Sequence, residues 1–170
     1  GGVGKTTLAT SLYIEMSCEF DSCCFLGNIK EESSKSNCME TLQGKILSTI
    51  LKTEVKVDSV GIGKHTIQTR LGHKKVLIVL DDVDDRKQLE ALAGSHDWFG
   101  DGSRIIITTR DEHLLRAHKV GEVSHVNLLS NVEAILLFNK HAYNVNNLVE
   151  DYERLSQQVV SYAGGLPLAL

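Results

Sequence analysis

The chain begins with Gly1-Gly2-Val3-Gly4-Lys5-Thr6-Thr7, a glycine-rich stretch that runs directly into a helical apolar pattern. It matches the second half of the motif G-x-x-x-x-G-K-[ST], with Gly4 as the last glycine. Glycines let backbone N–H groups curl around phosphate oxygens, and the start of the following helix favours negative charge. The stretch therefore predicts a phosphate-binding loop. The weaker alternative is a glycine-rich turn before a helix.

The chemistry of this motif assigns roles to single residues. Lys5 reaches the β- and γ-phosphates, the Thr6 hydroxyl is a ligand for Mg²⁺, and Thr7 lies near the α-phosphate. The other predicted phosphate contacts come from the backbone of Gly1, Gly2, Val3 and Gly4. Because the full motif begins before Gly1, we expect the first strand of the sheet to be missing from this segment.

A second motif follows the continuous apolar run at residues 76–80, which is typical of a parallel strand covered on both faces. The run ends in Asp81 and Asp82, and a parallel strand delivers its carboxyl end to the ligand crevice. We expect Asp81 to hold Mg²⁺ and Asp82 to orient or deprotonate the attacking water, with Lys5 as the second catalytic residue. A strand capped by solvated acids is the alternative, which the phosphate loop disfavours.

A third candidate is Arg110, at the end of the strand predicted at residues 105–109. An arginine at this edge can contact the γ-phosphate with two parallel hydrogen bonds and so report its presence. It could equally be a surface arginine paired with Asp111 or Glu112. The residues alone leave both interpretations open.

Strands that alternate with helices predict an α/β fold with a parallel sheet flanked by helices. After Ser130 the pattern becomes helical, so we predict a nucleotide-binding domain at residues 1–129 and the start of a helical subdomain at 130–170. The local predictions are a helix at 5–16 with Leu8, Leu12 and Met16 on one face, a glycine-bearing loop at 55–64, a strand at 123–128 and a helix at 148–162.

Composition limits the classes of partner. Lysine and arginine total 18 against 22 acidic residues, giving a net charge of −4 and no basic footprint for nucleic acid. No apolar run approaches the length of a membrane span. We therefore predict no direct binding to nucleic acid or membrane. The four cysteines lack a paired C-x-x-C spacing, which disfavours a zinc site.

Taken in order, these motifs resemble the nucleotide-binding domain of plant disease-resistance proteins, the NBS-LRR (NB-ARC) family. LIVLDDVDD at 77–85 looks like the kinase-2 motif, GSRIIITTRD at 102–111 like the RNBS-B motif, and LLFNKHAY at 136–143 like the helical motif that follows. GLPLAL closes the chain at 165–170. FLGNIKE at 25–31 and Asp84 resemble the subclass with an N-terminal TIR domain.

The resemblance implies a P-loop NTPase fold of the STAND type followed by an ARC subdomain. It implies a switch that holds ADP at rest and ATP when active, with slow ATP hydrolysis at most, in plant defence signalling. The implied partners are Mg²⁺, the protein's own TIR and LRR domains, and other copies when ATP is bound. It implies cytoplasmic location, with the nucleus as a second compartment. It also implies that Arg110 is the sensor and that Pro167 packs near the base of the nucleotide.

Three other functions are open alternatives. A small-molecule kinase should carry a basic lid and an acceptor pocket, and neither is recognisable in the sequence. A motor-type P-loop ATPase should cycle quickly, whereas a switch hydrolyses slowly and retains ADP. The third alternative is a hydrolysis-deficient nucleotide-binding scaffold. The intact set of Lys5, Thr6, Asp81 and Asp82 disfavours a wholly inactive site.

Overall fold

The computed structural model describes residues 1–142 and 152–170. The described chain forms two compact units, one of residues 6–123 and one of residues 1–5 together with 124–170. The predicted division between residues 129 and 130 stays a prediction.

The first unit is built on a parallel sheet of three strands, which confirms the predicted α/β architecture. The strands are β1 (Ser22–Leu26), β2 (Val76–Val83) and β3 (Arg104–Thr109), in the spatial order β1-β2-β3. Side chains 76–80 of the central strand have no exposed surface. This burial is what the continuous apolar run predicts, because helices cover both faces of a parallel sheet.

Helices flank this sheet along the chain. They are α1 (Lys5–Met16), α2 (Ile29–Glu32), α3 (Cys38–Leu51), α4 (Val60–Leu71), α5 (Arg86–Leu92) and α6 (Glu112–Ala117). Short 3₁₀ turns lie at Ser17–Glu19 and His96–Trp98. The apolar face of α3 is buried in the core with Leu42, Ile46, Leu47 and Ile50.

A buried amide joins three of these helices. Gln43 of α3 has no exposed surface, and its Nε2 donates to the carbonyl oxygens of Val60 at 3.1 Å and Ala91 at 2.8 Å. These acceptors belong to α4 and α5. A buried donor that finds carbonyl partners on two other elements fixes their relative position, since leaving it unpaired would be costly.

The second unit contains α7 (Asn131–Ala142), α8 (Tyr152–Ala163) and a 3₁₀ turn at Pro167–Ala169. Ser130 and Glu133 begin α7 with reciprocal hydrogen bonds, Ser130 N to Glu133 Oε2 at 2.9 Å and Glu133 N to Ser130 Oγ at 3.4 Å. Part of the predicted helix at 148–162, and Tyr143 of the helical motif, lie outside the described residues.

Two local predictions are wrong. Residues 60–64, assigned to a loop, form the first turns of α4, because Ser59 Oγ accepts from the Ile62 N–H at 3.4 Å and caps the helix. Residues 123–128, assigned to a strand, pair with no strand of the described sheet. Val126 and Leu128 would share one face of such a strand, but Leu128 is 54% exposed, so this face is not buried.

The helix predicted at 5–16 is confirmed, but its apolar stripe is not its buried face. Ala9 is the buried residue of α1, while Leu8 is 48% exposed. None of the helices in the described part of the chain is long and apolar enough to cross a membrane.

Candidate functional site

Asp81 lies at the carboxyl end of β2 and is the acceptor around which this edge of the sheet is arranged. It is 4% exposed. Thr6 Oγ1 donates to its two carboxylate oxygens at 2.9 and 3.1 Å, and Thr108 Oγ1 donates to Oδ1 at 2.6 Å. The structure thus brings together Thr6 and Asp81, the two residues that the sequence predicts as Mg²⁺ ligands. A buried carboxylate needs such donors, because burial without them would disfavour its charge.

The next residue, Asp82, has a different environment because β2 bulges at this point. The ladder pairs Leu80 with Ile107 and then Val83 with Thr109, so Asp81 and Asp82 together oppose Thr108. Asp82 has a φ of +55°, in the left-handed region that aspartate tolerates better than most residues. Its N–H donates to Thr108 Oγ1 at 2.9 Å. Bulges of this kind re-aim side chains beside functional sites.

Arg110 pairs with Asp82 and with neither of the two neighbours considered from the sequence. Its Nε lies 3.4 Å from Asp82 Oδ1, and the Arg110 side chain is 62% exposed. Asp111 instead caps α6 by accepting from the His113 N–H at 2.9 Å, and Glu112 pairs with Arg116. The arginine therefore stands beside the acid predicted to act on water, with its charge open to solvent.

The glycine-rich loop belongs to the second unit, and its backbone has the conformation that only glycine adopts freely. Gly2 and Gly4 have φ of +82° and +94°. Helix α1 begins at Lys5 and carries no acidic residue in its first turn. The partial positive charge at this helix start is therefore not neutralised by acidic side chains of the helix, which favours binding of an anion.

Leu168 of the closing motif contacts this loop within the same unit. Its N–H donates to the Gly2 carbonyl oxygen at 3.2 Å, and a Cβ built on Gly2 would lie 2.8 Å from the Leu168 Cβ. Glycine is therefore required at position 2 for two reasons, its φ and this close approach. Pro167 begins the adjacent 3₁₀ turn, and its predicted contact with a base stays a prediction.

Sequence reasoning missed Thr108 and Leu168 as parts of these two arrangements. For Thr108 a weak indication existed, because side chains two apart on a strand share a face and Thr108 is two residues before Arg110. For Leu168 the sequence offers no indication beyond its place in the closing motif.

The donors at the sheet edge fit Mg²⁺. A threonine hydroxyl and a carboxylate are hard oxygen ligands, and Mg²⁺ in nucleotide sites is bound by one or two carboxylates together with phosphate oxygens and water. Among residues 1–142 and 152–170, no group of three or more His, Cys, Asp or Glu side chains could hold a metal ion. Thr6 and Asp81 would supply the hydroxyl and the carboxylate of such a site.

Comparison with known proteins identifies the family. Residues 1–148 match the NB-ARC domain. The chain is 46% identical over 177 residues to TMV resistance protein N of Nicotiana glutinosa, which covers 100% of this chain and 15% of that protein. It is 45% identical over 172 residues to disease resistance protein RUN1 of Vitis rotundifolia, covering 100% of this chain and 13% of the relative. Disease resistance protein RPS6 of Arabidopsis thaliana is 37% identical over 180 residues, covering 99% of this chain and 16% of its own length.

The chain thus spans about one sixth or less of the length of these relatives. The match confirms the predicted P-loop NTPase fold and the resemblance to plant resistance proteins of the TIR-type subclass. On its motifs, its parallel sheet and these similarities, the chain belongs to the NB-ARC family of nucleotide-binding domains, in the group of plant disease-resistance proteins.

Proposed function

We propose that this chain is the nucleotide-operated switch of a plant immune receptor, with ADP bound at rest and ATP bound in the active state. One observation carries the proposal. The hydroxyl of Thr6 hydrogen-bonds to the carboxylate of Asp81, although the two residues are 75 positions apart. This bond supports a site in which Thr6 of the phosphate motif and the acidic end of β2 act together on a nucleotide and its metal.

In this proposal the loop holds the phosphates. The backbone amides of residues 1–4 and 7 surround the phosphate oxygens, and the Lys5 ammonium balances the charge of the β- and γ-phosphates. The start of α1 adds a favourable dipole. Thr6 and Asp81 hold Mg²⁺, which when bound neutralises the charge that develops between the β- and γ-phosphates.

Arg110 and Asp82 supply the discrimination between ADP and ATP. In the structure Arg110 Nε lies 3.4 Å from Asp82 Oδ1. A γ-phosphate carries more charge than a carboxylate and offers Arg110 a bidentate partner. When ATP is bound, Arg110 would pair with the γ-phosphate, and Asp82 would be free to orient the attacking water.

The parts of the switch outside this chain follow from its family. We propose that TIR and LRR domains of the same protein act on this domain, and that exchange of ADP for ATP allows self-association. The names of the relatives connect them with resistance to disease, and one with TMV, which supports a role in defence signalling. We propose the cytoplasm, and secondarily the nucleus, as the site of action.

Lys5→Ala should weaken ADP binding by about 10- to 100-fold, because a charge-assisted contact to phosphate is lost. Isothermal calorimetry on protein that circular dichroism shows to be folded measures this change. Lys87→Ala, which removes an exposed lysine of α5, is the matched control and should bind as the parent does. Equal affinity of the Lys5 variant and the parent would contradict the proposed site.

Arg110→Gln should leave ADP affinity within about twofold and lower ATP affinity about tenfold, since the arginine engages only the γ-phosphate. Calorimetry with ADP and with a non-hydrolysable ATP analogue separates the two effects. Arg104→Gln is the control, because Arg104 is an exposed arginine at the opposite end of β3. An equal loss for both nucleotides would refute the sensor role.

Asp82→Asn should keep nucleotide binding and reduce ATP hydrolysis by about 100-fold, as loss of a general base does. Asparagine tolerates the left-handed backbone that Asp82 adopts, so the variant removes charge without adding strain. Phosphate release under single-turnover conditions measures the rate, with Asp101→Asn in an exposed turn as control. Hydrolysis at the parental rate in the Asp82 variant would exclude this role, and absence of hydrolysis in the parent would favour the scaffold alternative.

A further inference from the structure

We infer that Thr108 is a positioning residue that maintains the two acids of β2 in distinct arrangements and is required for Mg²⁺-dependent nucleotide binding. Its effect on nucleotide rests on the proposed function, whereas its effect on the β2 bulge stands independently. Thr108 hydrogen-bonds to Asp81 and Asp82, and it is not one of the residues predicted to contact phosphate.

The inference begins with the strand register. Between the pairs Leu80–Ile107 and Val83–Thr109, two residues of β2 face the single residue Thr108 of β3. A bulge of this kind leaves a backbone group without its regular ladder partner. Here the N–H of Asp82 donates to the Thr108 hydroxyl at 2.9 Å. The side chain thereby takes the place of a backbone acceptor.

The same hydroxyl acts on Asp81. A threonine hydroxyl has one proton to donate and lone pairs to accept with. Thr108 uses its proton on Asp81 Oδ1 at 2.6 Å and a lone pair on the Asp82 N–H. One hydroxyl therefore fixes the carboxylate of the first acid and the backbone of the second, so that neither can rotate without breaking a bond to Thr108.

Burial makes this arrangement hard to replace with water. Thr108 is 8% exposed and Asp81 is 4% exposed. Removing the hydroxyl would take the acceptor from the part-buried Asp82 N–H and one donor from Asp81 Oδ1, which would keep Thr6, and losing partners at such depth is costly. The bulge would then relax or Asp81 would turn, and in either case the oxygen donors presented to Mg²⁺ would change.

The test compares Thr108→Val, which keeps the shape and removes the hydroxyl, with Thr108→Ser, which keeps the hydroxyl. Thr109→Val is the matched control, because the Thr109 hydroxyl only accepts from the Asp111 N–H at 3.1 Å in an exposed turn. ADP affinity is measured by calorimetry with Mg²⁺ and with EDTA. The second readout is hydrogen exchange of the Asp82 amide, followed by NMR without nucleotide.

We call the ratio of ADP affinity with Mg²⁺ to ADP affinity in EDTA the Mg²⁺ gain. For Thr108→Val we expect this Mg²⁺ gain to fall about tenfold, while ADP affinity in EDTA stays within about twofold of the parent. Thr108→Ser and Thr109→Val should retain the parental gain. The Asp82 amide should exchange slowly in the parent and in Thr108→Ser, and at least tenfold faster in Thr108→Val. A merely structural loss would lower affinity equally with and without Mg²⁺.

If Thr108→Val shows the same Mg²⁺ gain as the parent, the inference is overturned. If the parent binds no ADP, the proposed function fails, and the exchange of the Asp82 amide still decides whether Thr108 fixes the bulge. If Thr108→Val does not fold, the parent alone decides: slow exchange at Asp82 supports the inference, and exchange at the unprotected rate contradicts it.

Discussion

The buried carboxylate of Asp81 is the constraint on which the functional end of the sheet depends. A charge at this depth is tolerable only when donors surround it. The two donors come from distant parts of the chain, Thr6 at the start of α1 and Thr108 at the end of β3. One acid therefore fixes the helix that follows the phosphate loop and the outer strand against the central strand. In the proposed function, the same carboxylate helps to hold Mg²⁺.

Two adjacent acids on a regular strand would point to opposite faces of the sheet and could not serve one ligand. The bulge in β2 changes this relationship. It places Asp82 in a left-handed conformation, in which its carboxylate lies beside Arg110 while Asp81 remains buried among hydroxyls. The local irregularity of the strand thus creates two carboxylates with different partners, one suited to a cation and one paired with a cation-bearing side chain.

The sequence was sufficient for the parts of this arrangement that depend on local pattern. The apolar run at 76–80 predicts a central parallel strand, and parallel topology then places Asp81 at the carboxyl edge of the sheet, where it meets Thr6. The role of Thr108 was not predicted, because it depends on the register between β2 and β3, which no local pattern encodes. The contact between Leu168 and Gly2 was not predicted either, because it too joins residues far apart in the sequence. The start of α4 was missed because glycines near Ser59 indicate a loop more strongly than a single serine indicates a helix cap.

A crystal structure of the protein with ADP and Mg²⁺ tests the central claim most directly. The account predicts the diphosphate against the backbone amides of the loop at residues 1–7, with the ion beside Thr6 and the carboxylate of Asp81, and with Arg110 still paired with Asp82. A nucleotide bound away from the loop, or an ion that engages neither Thr6 nor Asp81, would contradict it.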